Sequence, residues 1–278
     1  MRIDAHTHCF PDTLAPKALA KLETNDALYP RCDGTLNGLL TVLDRDGIDK
    51  CFVLNIATNP HQQDKVNEFA VSINRCQNRV YSFGSIHPDC PDVKRAAKQI
   101  KKSGLYGIKL HPDFMGYDIL DDKFMPIFAA CAEYALPVVI HAGLDPTSRD
   151  HIHAKAEDIA KILERFPSLR LCAAHFGCAV HHEEVLKHLC GKNIWFDTSF
   201  PALGASVSGV KKLLENHNPD KIMFGSVGIS GGGCGISRRA GARRQAKKKN
   251  LRRECRAFSS TIKITATLPC ICAGSSAG

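Results

Sequence analysis

Eight short runs of apolar and β-branched residues recur through the first 226 residues, and between consecutive runs lies enough chain for a helix. Tight turns cannot join parallel strands, so strand-length runs spaced by amphipathic helix-length segments call for a parallel sheet with crossover helices. The runs are MRIDAHTH (1–8), KCFVLNIA (50–57), RVYSFGSIH (79–87), LYGIKLH (105–111), LPVVIHAG (136–143), LRLCAAHFG (169–177), NIWFDTS (193–199) and DKIMFGS (220–226). Helices are expected near 35–46, 61–76, 91–103, 121–135, 154–166, 181–190 and 208–216. Eight strands with seven intervening helices make an α/β fold, a (β/α)8 TIM barrel without a recognisable last helix. A chain of 278 residues fits one such domain.

The pattern stops at residue 226. From there the chain reads GISGGGCGISRRAGARRQAKKKNLRRECR, whose consecutive glycines oppose a helix and whose apolar residues lack helical periodicity. Two domains of sequence are therefore expected: a barrel over 1–226 and a basic, glycine-rich tail over 227–278 in place of the final helix. The tail is either a disordered extension or the product of a changed coding frame. The second is favoured, because composition, charge and periodicity all switch at one point.

The formal net charge of +9 invites a nucleic-acid reading. Of 37 basic and 28 acidic residues, however, 11 basic and one acidic fall after residue 226. The barrel itself is nearly neutral, so no specific nucleic-acid partner is expected. No apolar window is long enough to cross a bilayer and the amino terminus has no signal-length apolar stretch, so a soluble, cytoplasmic protein without a membrane partner is expected. The 13 cysteines are scattered singly, as reduced core residues would be.

Histidines mark the ends of the runs. His6 and His8 lie two apart at the end of the first, and the strand period of two points both to one side. His111, His141 and His175 end later runs. Strand ends converge at the carboxyl mouth of a barrel, where this fold builds its sites. Neutral imidazoles with a carboxylate suit a borderline-soft divalent ion, Zn²⁺ first, with Mn²⁺, Fe²⁺ and Co²⁺ as alternatives. Such an ion lowers the pKa of water from about 16 towards 7 and polarises a carbonyl, which is the basis of metal-assisted hydrolysis. A general base beside that water is also required.

Taken together, DAHTH, GIKLHP, the HAG of VVIHAG, AHFG, FDTS and IMFGS resemble the amidohydrolase-related branch of the amidohydrolase superfamily, which includes aminocarboxymuconate-semialdehyde decarboxylase-like enzymes. The resemblance spans 1–226 in order and implies a metal-dependent (β/α)8 barrel. It implies His6, His8 and His141 as metal ligands. It also implies His175 as the sixth-strand histidine, which activates water, polarises substrate or holds a second metal. The departure is at the eighth strand, where the family pattern FGSD supplies an aspartate that binds metal and handles the proton. Here Phe224, Gly225 and Ser226 are followed by Val227, so activity is expected to be absent or reduced.

Two carboxylates could substitute. Asp197 ends the seventh run and is taken as a candidate catalytic group, though orienting a ligand histidine is the plainer role. Asp4, two residues before His6 on the same strand face, reads as structural. Lys109 and His111 are candidate substrate-binding residues. For Lys109, a lysine reaching the mouth or binding a substrate carboxylate is plainer than the carbamylated, metal-bridging lysine of some superfamily members. His111 lines the pocket or holds a loop. Cys9 should face away from the histidine pair.

The leading expectation is a metal-dependent hydrolase acting on a small polar molecule with a C–N or C–O bond. A metal-dependent non-oxidative decarboxylase and a ligand-binding barrel with a damaged site are the alternatives. Specificity is expected in loops 9–34, 112–120 and 144–153. Homo-oligomerisation stays open.

Overall fold

The computed structural model describes residues 1–26, 30–148, 150–199 and 205–228. The tail beyond residue 228, with the expectations placed on it, lies outside the described residues.

All eight runs form strands: β1 (Ile3–Thr7), β2 (Lys50–Leu54), β3 (Val80–Phe83), β4 (Ile108–Leu110), β5 (Val138–Ile140), β6 (Leu171–Ala173), β7 (Trp195–Asp197) and β8 (Ile222–Met223). Every neighbouring pair is parallel, in the orders β1-β2-β3 and β4-β5-β6-β7-β8. Two seams join these sheets into a closed barrel. At the first, Gly84 donates to the Gly107 carbonyl at 2.9 Å and Lys109 donates to the Gly84 carbonyl at 2.8 Å. At the second, Ala5 donates to the Phe224 carbonyl at 2.7 Å, and Thr7 bridges Val227. The β8–β1 gap is thus closed by backbone from 224–227.

The crossover helices fall at Leu36–Asp46, Gln63–Ile73, Val93–Lys102, Met125–Glu133, Ala156–Arg165, His182–His188 and Val207–Asn216. Local chemistry sets their ends. The first is capped by the Thr35 hydroxyl, which accepts from Gly38, and ends at Gly47 with φ 65. Outward strand residues such as Ile108, Ile140 and Leu171 pack against helix residues such as Phe128 and Ile159 in the main core. Inward residues Phe52, Leu54, Phe83, Val139 and Cys172 fill the barrel floor.

Three expectations need correcting. A helix, Ala15–Asp26, occupies nearly half of the segment read as loop 9–34. Its APKALAKLETND sequence is rich in strong helix formers, which outweighs the lack of a strongly apolar stripe. Likewise, Pro112–Met115 is a single helical turn inside loop 112–120. The third concerns Asp4. In register, Asp4 pairs with Cys51 and Thr7 with Val53, so β1 holds one residue more than β2 between them. This bulge breaks the alternation and carries Asp4 off the face of His6 and His8. Cys9 packs with Leu39, Leu43 and Val53 outside the barrel, away from the histidine pair.

Candidate metal centre

The bulge in β1 turns His6 and His8 into the mouth. His6 Nδ1 lies 2.9 Å from Asp197 Oδ2, at the end of β7, and His8 Nδ1 lies 2.8 Å from the Leu54 carbonyl, at the end of β2. A carbonyl and a carboxylate only accept, so both imidazoles carry their proton on Nδ1. Their Nε2 atoms then bear lone pairs, and these face each other at 3.2 Å. Two facing lone pairs repel unless a cation takes both. Ligand atoms about 2.1 Å from one ion stand about 3.0 to 3.4 Å apart in octahedral or tetrahedral geometry, which the observed separation matches. The residues present therefore fit a divalent ion.

Asp197 organises the site and is fully buried. While Oδ2 serves His6, Oδ1 accepts the backbone N–H groups of Ser199 at 3.0 Å and His175 at 3.2 Å, together with the Ser199 hydroxyl. Each oxygen is committed to a neighbour, so the carboxylate orients ligands. His175 follows β6 in a run of positive φ values, 59 at His175, 53 at Phe176, 66 at Gly177 and 90 at Cys178. Such backbone costs free energy in non-glycine residues and is found where a site needs it. It aims the His175 ring so that Nδ1 meets the Ser199 carbonyl at 3.1 Å and hydroxyl at 2.8 Å. His175 Nε2 approaches His141 Nδ1 at 3.0 Å, and its ring centroid is 5.1 Å from that of His6. His6, His8, His175 and His141 are thereby brought together as a connected chain.

His111 stacks on His141, with centroids 4.1 Å apart and planes 12° apart, and Phe114 covers its other face at 3.8 Å. Among the described residues, three sets of potential ligand atoms lie within 4.8 Å of one another: His6, His175 and Asp197; His111, His141 and Asp145; and the more exposed Asp118, His151 and His153. Lys109 is 1% exposed and its Nζ has no hydrogen-bond partner, so the ammonium does not reach out to water. His87 is tied into its own loop, accepting the Asp89 N–H at 3.1 Å.

Burial sets the protonation states. It pushes His8 down to about 4 and His175 to about 3, with the Lys109 ammonium adding to the effect on His8 and the His6 ring to that on His175. His6, His111 and His141 are held well below the usual imidazole range for the same reason. All five rings are neutral at pH 7, as metal ligands must be. Burial also pulls Lys109 down to about 8, against the attraction of Asp197, Cys172 and Asp145.

At the end of β8, Ser226 donates through its backbone N–H at 3.0 Å and its hydroxyl to Asp4, which also accepts the His6 N–H at 3.1 Å. Asp4 thus fastens β8 to β1. Gly225 permits the close approach, since a Cβ there would stand 2.9 Å from that of His6. Val227, which follows Ser226, has φ 67 in the left-handed region.

Ser199, Asp113 and Asp145 were not singled out from sequence. Each had a signal: Ser199 shares a strand face with Asp197, Asp113 lies two residues after His111, and Asp145 four after His141.

The sequence profile of a family described as amidohydrolase matches residues 3–226. No curated protein sequence matches significantly. Among solved structures, the chain is similar to an uncharacterized TIM-barrel protein from Bordetella bronchiseptica (13% identity, 95% of this chain and 92% of that one, TM-score 0.63). It is also similar to a mutant 5-carboxyvanillate decarboxylase from Novosphingobium aromaticivorans with bound manganese and 3-methoxy-4-hydroxy-5-nitrobenzoic acid (16%, 81% and 86%, TM-score 0.58). A third is 4-oxalomesaconate hydratase from Rhodopseudomonas palustris (20%, 94% and 97%, TM-score 0.55).

Proposed function

The chain belongs to the amidohydrolase family, and from that membership we propose that it is a metal-dependent hydrolase acting on a small polar molecule with a C–N or C–O bond. One observation carries the reading: the Nε2 lone pairs of His6 and His8 converge at 3.2 Å because Asp197 and the Leu54 carbonyl fix both tautomers. A divalent ion, Zn²⁺ first with Mn²⁺, Fe²⁺ and Co²⁺ as alternatives, supplies Lewis acidity and acidifies water there. His6 and His8 hold it, with His175 and His141 beside them. Neutral His175 accepts the proton of the attacking water, and Asp197 keeps the His6 and His175 rings in place. Val227 stands where the eighth-strand carboxylate is expected, so the centre is weakened and turnover is low.

A second reading, a metal-dependent decarboxylase, draws support from Lys109. Its buried, unpartnered ammonium can hold a substrate carboxylate. Structural similarity to a 5-carboxyvanillate decarboxylase is in keeping with it.

The test is metal content after dialysis, followed by turnover over a panel of small amides, esters and carboxylic acids. Bound metal with release of amine or alcohol supports the hydrolase, and release of carbon dioxide supports the decarboxylase. A protein that binds no zinc or manganese, even with Val227→Asp, would overturn both.

A further inference from the structure

We propose that Asp145, together with Asp113, is a positioning residue of the candidate metal centre: the two carboxylates hold the proton of His141 on Nε2 and so present its Nδ1 lone pair to the ion. The inference deepens the metal-dependent reading and rests on it for the ion alone, because the place of the proton is a property of the metal-free chain.

The two nitrogens of His141 have different surroundings. Nε2 is buried without a hydrogen-bond partner and faces two carboxylate oxygens, Asp145 Oδ2 at 3.6 Å and Asp113 Oδ2 at 3.9 Å. These separations are too long for hydrogen bonds, so charge decides which nitrogen is protonated. A carboxylate oxygen attracts an N–H and repels a lone pair. Burial keeps His141 neutral, with a single proton to place. On Nε2 that proton meets the two oxygens, and Nδ1 becomes the donor.

Nδ1 lies 3.0 Å from His175 Nε2. The Ser199 carbonyl, 3.1 Å from His175 Nδ1, only accepts, so the His175 proton sits on Nδ1 and its Nε2 also turns a lone pair towards His141. Two lone pairs at 3.0 Å repeat the arrangement of His6 and His8, whose Nε2 atoms face each other at 3.2 Å. Without the carboxylates, His141 would gain an ordinary hydrogen bond by moving its proton to Nδ1 and donating to His175.

Both carboxylates are held for this task. Asp145 Oδ1 accepts the Thr147 N–H at 2.8 Å and the Thr147 hydroxyl, and Asp113 Oδ1 accepts from His153 Nδ1 at 3.1 Å and from the Ser148 hydroxyl. Each Oδ2 is left for the imidazoles, as outer partners of ligating histidines are. The stacked His111 ring completes the pairing. Its Nδ1, also buried without a hydrogen-bond partner, lies 3.7 Å from Asp113 Oδ2. A proton on His111 Nδ1 answers Asp113 and one on His141 Nε2 answers Asp145.

Long-range proton–nitrogen correlation spectra of the metal-free full chain with isotope-labelled histidine read the tautomer directly, with His141→Gln assigning the signals. His141 is expected to carry its proton on Nε2 in wild type. In the pair Asp113→Asn and Asp145→Asn, whose amides can donate to Nε2, the proton should move to Nδ1, and zinc affinity in competition with a chelator should fall by about 10 to 100-fold. Carboxylates that served only the fold would leave the tautomer where it is. A wild-type His141 protonated on Nδ1, or an asparagine pair with unchanged tautomer and zinc affinity, would overturn the proposal. Should the pair not fold, Asp145→Asn alone reads the same shift. A wild type that binds no zinc yet keeps the proton on Nε2 defeats the metal-dependent reading and upholds the hold of the carboxylates on His141, so the two failures are told apart.

Discussion

His6 and Asp197 meet across the interior of the barrel mouth, Nδ1 to Oδ2 at 2.9 Å, although 191 residues separate them in sequence. The carboxylate fixes the His6 proton on Nδ1 and so frees Nε2 for an ion. In Asp197→Asn an amide nitrogen can turn towards the ring and favour the other tautomer. Loss of such an outer partner typically costs 10 to 100-fold in metal affinity, and that range is expected in competition with a chelator. Zinc affinity equal to wild type in a folded Asp197→Asn protein would refute the orienting role.

The buried imidazoles make stability depend on pH in a defined direction. Between the ordinary value of 6.5 and the folded values of about 4 for His8 and 3 for His175, an unfolded chain takes up protons that the folded one refuses. His6, His111 and His141 act the same way. Stability of the metal-free protein therefore falls as pH drops below 6.5. Asp4 opposes this. Burial raises it to about 7, so its contribution is full below its ordinary value of 3.8 and fades as pH rises through 7. Asp145, also raised by burial, acts in the same direction as Asp4; five rings outweigh two carboxyls, and the melting temperature of metal-free protein is expected to drop from pH 7 to pH 4.5. A flat or rising trend over that interval would contradict the neutral, buried state of the rings.

Val227 combines a β-branched side chain with φ 67, a conformation that asparagine and aspartate tolerate far better. Both Val227→Asn and Val227→Asp relieve that strain, yet only the second adds a carboxylate at the end of β8. Expected is a gain in zinc affinity and turnover for Val227→Asp alone, with similar melting temperatures for the two variants. Equal metal binding by both would mean that the eighth strand delivers no ligand here.

The barrel was legible because strand pattern and crossover length are local properties. The strand-end histidines were legible because the topology carries any strand end to the mouth. What local pattern could not show was the β1 bulge, which depends on register against β2 and moves Asp4 off the histidine face. It also could not show Asp113 and Asp145, which lie in the loops after β4 and β5 and gain meaning only once those loops fold back over His111 and His141. Helix Ala15–Asp26 was missed for another reason, since residue preference rather than amphipathic periodicity marks it.

Lys109 carries a stability cost that the proposed carboxylate binding would explain. Its ammonium is buried without a hydrogen-bond partner, and burial pulls its pKa to about 8, so it remains mostly charged at pH 7. An unpaired buried charge costs several kcal/mol, and a domain of this size shifts its melting temperature by about 2 to 4 °C per kcal/mol. Replacing the ammonium with an apolar group of similar length removes the charge and keeps the volume, so Lys109→Met should melt a few degrees higher than wild type without ligand. The same variant should bind small carboxylic acids at least tenfold more weakly, while neutral amides are unaffected. Thermal melts with and without benzoate read both effects. A Lys109→Met protein that melts lower than wild type and is stabilised by benzoate to the same extent would show that the ammonium serves the fold and not a ligand.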